Sequence, residues 1–89
     1  MKYRKKPLII EAIKFNELKP DEVIDFTSGL AWRDSHWDRG IKHMAIKTLE
    51  GVLHAKHGDY IIKGIAGEFY PIKSEIFLES YEPAEIEVL

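Results

Sequence analysis

None of the 89 residues is a cysteine. That excludes a disulfide framework and any zinc site built on thiolates, and it suits a cytoplasmic setting. Long apolar runs are missing as well. Nothing approaches the ~20 consecutive apolar residues that a membrane-crossing helix needs. Near the N-terminus, Leu8-Ile9-Ile10 is followed at once by Glu11, too short a run for a signal-peptide core. Nor does one charge sign dominate: 13 Lys and Arg face 15 Asp and Glu, a net charge of −2. The domain as a whole is therefore not basic enough to signal nucleic-acid binding.

Catalytic signatures are equally scarce. Gly58, Gly64 and Gly67 fall in hairpin positions, not between a strand and a helix where a phosphate loop would lie. No serine sits in a nucleophile elbow, and the neighbours Ser35 and His36 imply no geometry. Asp34 and Asp38 could supply paired carboxylates, but their spacing specifies no acid–base chemistry. His54 and His57, three residues apart, would point to opposite sides of a strand. No metal site and no cofactor are expected.

What is present reads as one α+β domain over residues 1–89. A chain of this size buries about 60% of its unfolded surface. Leu8 to Phe15 reads as a strand apolar on both faces and hence central in its sheet. Glu11 is the misfit there. Either it pairs with a nearby Lys or Arg, or it is a carboxylate aimed into a ligand pocket. Pro20 to Ser28 predicts a short helix, with proline in the first turn, Asp21 and Glu22 at the positive dipole end, and Gly29 as the stop.

Ala31 to His43 has no clean period and holds two each of Trp, Arg, Asp and His in 13 residues. Such a long irregular segment is often either functional or flexible. Trp32, Arg33, His36, Trp37 and Arg39 form its aromatic and cationic cluster. These residue types suit flat anionic ligands or protein partners, while a small core would also claim a tryptophan.

The remainder is regular. Met44–Leu49 and Val52–Lys56 around Glu50-Gly51 predict a two-residue hairpin. This puts Ile46, Thr48, Leu53 and Ala55 on one face, and Lys47, His54 and Lys56 on the other, a second candidate surface. The expected register sets Lys47 against His54. Tyr60–Lys63 and Glu68–Pro71 predict another hairpin, setting Lys63 opposite Glu68 and joining Tyr60, Ile62 and Phe69 on one face. Ser74 would cap a single helical turn, and Glu85 to Leu89 could add a last edge strand. The expected fold is a mostly antiparallel twisted sheet of about five strands, able to curl towards a small barrel, with one short helix packed on it.

The stretch Gly58–Pro71, continued by Ile76-Phe77 and Tyr81-Glu82, and the opening Met1–Pro7 with Ile10-Glu11-Ala12 resemble a family of small bacteriophage and prophage proteins of unknown function. Those proteins open with a "KYRKKP…IEA" strand and close with a "PGDYIIKG…GEFYP…IF…YE" block. This chain departs from the pattern at His57 and Ser74, where proline is usual. The resemblance implies a phage or prophage origin and a host-cytoplasm setting, and brings no catalytic residues.

The charge distribution adds one asymmetry. Residues 1–19 carry six basic side chains against two glutamates, and residues 74–89 carry five glutamates and no base. Either the two ends attract each other, or Lys2 to Lys6 touch a polyanion. The function expected is a non-enzymatic accessory protein that binds a host protein or a small anionic ligand. A virion structural or assembly component and a small nucleotide-processing hydrolase are the alternatives. An edge strand near either terminus offers a route to a homodimer.

Overall fold

Two three-stranded antiparallel sheets and two short helices make up the fold. The computed structural model describes residues 1–4 and 6–84. The first sheet contains β1 (Glu11–Lys14), β5 (Tyr60–Lys63) and β6 (Phe69–Ile72) in the order β1-β5-β6. The second contains β2 (Ala31–Arg33), β3 (Met44–Thr48) and β4 (Gly51–Ala55) in the order β2-β3-β4. Helix α1 spans Pro20–Phe26 and α2 spans Ser74–Ser80, with a 3-10 turn at Trp37–Arg39. The mixed α+β class follows the sequence, but the strands divide into two sheets instead of joining in one. The expected strand at 85–89 lies outside the described residues.

The core explains the division. Ile13, Ile61 and Phe69 from the first sheet, with Phe15 just after β1, meet Ala31, Met44, Ile46 and Ala55 from the second, with Val23, Ile24 and Phe26 of α1 closing one side. Each sheet commits one face to this layer, which is how two half-apolar sheets hide their apolar sides. Phe26 and Phe69 meet edge to face at 5.5 Å between centroids, a favoured aromatic geometry. Thr27 is the buried polar residue among the described ones. Its hydroxyl donates to the carbonyl oxygens of Val23 at 2.9 Å and Ile24 at 3.2 Å.

The first sheet also covers its other face. Tyr60, Ile62 and Tyr70 line up there, and α2 lies over them with Phe77 stacked on Tyr60 at 3.9 Å. Helix α2 is therefore two turns long, not one. Its N-cap is Lys73, with no side-chain cap from Ser74. What lengthens it is the aromatic stack on Tyr60, continued from Phe77 to Tyr81 at 5.2 Å.

Several registers differ from expectation for local reasons. The first strand is confined to Glu11–Lys14 and stands at an edge, with β5 central. Helix α1 ends at Phe26, two residues early, because Ser28 and Gly29 are both left-handed, with φ of 54° and 87°. The β3–β4 turn sits on Leu49-Glu50, so Lys47 faces Val52 and His54 faces Ala45. A primed two-residue turn needs positive φ within the turn, whereas the left-handed residue here is Gly51, φ 110°, immediately after it. The shift is two residues, so every side chain keeps its expected face.

The β5–β6 shift is one residue and has the opposite consequence. Lys63 stands opposite Phe69, and Ile62 opposite Tyr70. Phe69 thus turns into the core beside Ile61, away from Tyr60 and Ile62. The loop takes one residue more than expected because left-handed Gly67, φ 81°, bends it tightly. The N–H of Gly64 then closes it onto the Glu68 carbonyl at 2.7 Å.

Candidate functional site

The Ala31–His43 segment is ordered by two structures that the sequence pattern hides. Its first three residues form β2, hydrogen-bonded to β3 with Trp32 opposite Ala45 and Arg33 opposite Met44. Strand alternation therefore sends Trp32 and Arg33 to opposite faces. The N–H of Asp34 donates to the His43 carbonyl at 3.0 Å, and that of Trp37 to the Asp34 carbonyl at 2.9 Å. These bonds fold the chain into the 3-10 turn, which left-handed Gly40, φ 91°, terminates.

The five clustered residues are consequently split. Trp37 is half-buried against the core. The Lys42 ammonium lies 4.9 Å from its ring centroid and the Arg33 guanidinium 5.6 Å. Lys42 also donates to the Trp37 carbonyl at 2.9 Å, and Arg33 reaches Asp21 of α1 at 3.4 Å. This half is a brace that fastens the segment to the domain. Arg39 is exposed at the end of the turn and takes no part in the brace.

Trp32 belongs to the other half. It is 43% exposed on the outer face of the β2-β3-β4 sheet. Ala45 beneath it is almost fully buried, and His54 continues the same cross-strand row. Lys47 and Val52 form the next row. Asp34 lies at the margin, 3.5 Å from His36 Nδ1 and 3.8 Å from His54 Nε2. Partial burial pushes the Asp34 carboxyl up. The N–H of Ser35, the His36 ring and the charges of His54 and His36 outweigh that and hold it below its ordinary value.

This arrangement is poorly suited to nucleophilic catalysis. Ser35 Oγ lies 3.4 Å from His36 Nδ1, the same nitrogen that faces Asp34. A serine–histidine–aspartate relay needs the two partners on opposite ring nitrogens. No group of three His, Asp or Glu side chains among the described residues is placed to hold a metal ion. His57 has a backbone role: its Nδ1 accepts from the Glu17 N–H at 3.0 Å.

Glu11 resolves as an ion pair at the sheet edge. Its carboxylate is 73% exposed and lies 3.7 Å from Lys63 Nζ, which leaves Lys63 paired with Glu11 and not with Glu68. Sequence reasoning missed Lys42, and it weighed Asp34 only as a carboxylate paired with Asp38. The useful signal for the brace was the placement of Lys42 five residues after Trp37.

No helix among the described residues is long and apolar enough to cross a membrane. No family model, no curated protein and no solved structure matches the chain, so the geometry stands without a family to interpret it.

Proposed function

We propose that the chain is a non-enzymatic binding module that docks a protein partner on the outer face of β2, β3 and β4. Trp32 is the anchor. The observation that carries this reading is a tryptophan left 43% exposed at the edge of a regular sheet while its neighbour Trp37 is braced against the core. Tryptophan is among the residue types that dominate binding hot spots, and a flat β surface holds it rigidly. The flanking groups favour a partner with an acidic rim: Lys47 stands in the row next to His54 on this face, and the carboxylate at its margin, Asp34, is already engaged by His36 and His54. The flatness favours a protein over a small anionic ligand, since Trp32 lines none of the five main clefts of the described residues. A phage or prophage origin, with a partner met in the host cytoplasm, rests on the sequence resemblance alone.

The test is an affinity capture from bacterial extract with the wild-type chain, Trp32→Thr, Lys47→Glu and the control Leu18→Ser. One protein should be retained by wild type and control. Trp32→Thr should weaken it by about thirtyfold, the scale of a hot-spot loss, and Lys47→Glu should weaken it in a salt-dependent manner. Capture that ignores Trp32→Thr, or that proves to be nuclease-sensitive nucleic acid, overturns the reading.

A further inference from the structure

On the opposite side of the molecule, residues 6–10 run beside α2 and leave a groove over the outer face of the first sheet. Two connected hollows compose it, about 330 Å³ and 660 Å³. They share Pro7, Leu8, Ile10, Ser80 and Tyr81 in their walls. Volumes of this order match small-molecule sites. The larger hollow is walled mainly by apolar groups, among them Ile9, Ala12, Phe77 and Leu78. The smaller one ends in polar groups: Glu68, Tyr70, Tyr81 and Lys6.

Glu68 is the informative residue. It is half-buried, and its Oε2 accepts from the Ala66 N–H at 2.9 Å. Its other oxygen rests against Gly64, where a Cβ would collide with the carboxylate. The side chain is thus fixed in place before any ligand arrives. Among the described residues no ammonium or guanidinium is within ion-pairing distance of it; Lys63 is engaged by Glu11. A half-buried carboxylate of this kind is stabilised by a cationic partner. Next to it the Tyr70 hydroxyl is hydrogen-bonded to that of Tyr81. Burial, Tyr81 and the Glu68 charge hold the Tyr70 phenol above its ordinary value. The Glu68 carboxylate beside the two phenols makes this end of the groove unfavourable to an anion and favourable to a cation beside tyrosine rings.

We infer that this groove binds a small organic cation with an apolar body, its charged end held by the fixed Glu68 carboxylate and the Tyr70–Tyr81 pair and its apolar end lying between Leu8 and Phe77. The site is separate from the Trp32 face and stands or falls independently of it.

The probe is n-hexylammonium, compared with 1-hexanol and hexanoate, titrated into the full chain and followed by amide chemical shifts. Hexylammonium should shift Glu68, Tyr70, Tyr81 and Leu8 and leave Trp32 and His54 still. Hexanol and hexanoate should bind about tenfold more weakly or not at all. Glu68→Gln should cost about ten- to a hundredfold in affinity, the worth of a charge-assisted hydrogen bond. Gly64→Ala should have a similar effect by displacing the carboxylate, the flexible end of its side chain, while the fold is kept. Lys6→Glu, an exposed change, should tighten binding. Equal binding of hexanoate, an unchanged affinity in Gly64→Ala or Glu68→Gln, or no tightening in Lys6→Glu overturns the inference.

Discussion

The two tryptophans should respond oppositely to removal, and the contrast tests the division between brace and binding face. Trp37 is half-buried against the core, with Lys42 at 4.9 Å and Arg33 at 5.6 Å from its ring. Truncating a buried aromatic to alanine costs ~3–5 kcal/mol. Partial exposure lowers this, and two cation–π contacts worth ~0.5–1 kcal/mol each restore some of it. Trp37→Ala is therefore expected to cost about 3 kcal/mol, a large part of the ~4–13 kcal/mol stability of a domain this size. At ~4–8 °C per kcal/mol, its Tm should fall by roughly 12–24 °C. Trp32→Thr removes a side chain that is already 43% exposed and substitutes a good strand former. Its cost should be about 1 kcal/mol, a Tm loss of roughly 4–8 °C. Far-ultraviolet circular dichroism melts measure both. Fluorescence adds an independent check, because the single tryptophan left in Trp37→Ala should emit further to the red than the one left in Trp32→Thr. Equal Tm losses, or a larger loss from Trp32→Thr, would refute the assignment of the two faces.

The remaining expectations concern single interactions. Tyr70 has its folded pKa raised by burial, Tyr81 and Glu68. Its stabilising contribution is therefore fully present below the ordinary phenol value of 10.0 and is lost as pH rises through the folded pKa. Urea midpoints measured across that alkaline range should fall less steeply for Tyr70→Phe than for wild type. Asp34 behaves in the opposite sense: its lowered pKa makes its contribution present above 3.8 and lost as pH falls through the folded value. Asp34→Asn should flatten the acid limb of the same titration. His57→Ala removes the acceptor of the Glu17 N–H and should cost about 0.5–1 kcal/mol in urea unfolding. Glu11→Gln breaks an exposed ion pair with Lys63 and should change stability by less than about 1 kcal/mol, less still at high salt.

The parts of the fold that the sequence announced are those governed by local chemistry. Pro20 starts α1, left-handed Gly29 follows its end, and the alternation over β3 and β4 assigns each side chain its face. What stayed hidden depends on tertiary pairing. β2 is three residues long, and nothing in Ala-Trp-Arg predicts a strand until β3 offers it hydrogen bonds. The edge position of β1 is likewise set by β5 taking the centre, since apolar residues on both faces are also compatible with a strand flanked by an N-terminal segment. The Trp32–Arg39 cluster was legible as composition but not as geometry. One short strand separates Trp32 from Arg33, and one 3-10 turn hands Trp37 to the core.

The one-residue shift between β5 and β6 shows how little register change is needed to alter chemistry. In the expected pairing Lys63 stands against Glu68 and neutralises it, so that carboxylate would have no role beyond folding. With Lys63 opposite Phe69, Phe69 enters the core and the lysine turns to Glu11 at 3.7 Å. The extra loop residue then folds Glu68 back onto the Ala66 N–H, against a glycine that leaves room for it. The same shift carries Tyr70 to the outer face, where Tyr81 meets it. A carboxylate with no ion-pair partner among the described residues and a phenol pair are thereby brought to the polar end of one groove. Gly64 leaves the space that this carboxylate fills and the Ala66 N–H holds it there, so the hairpin that builds the scaffold also builds the groove.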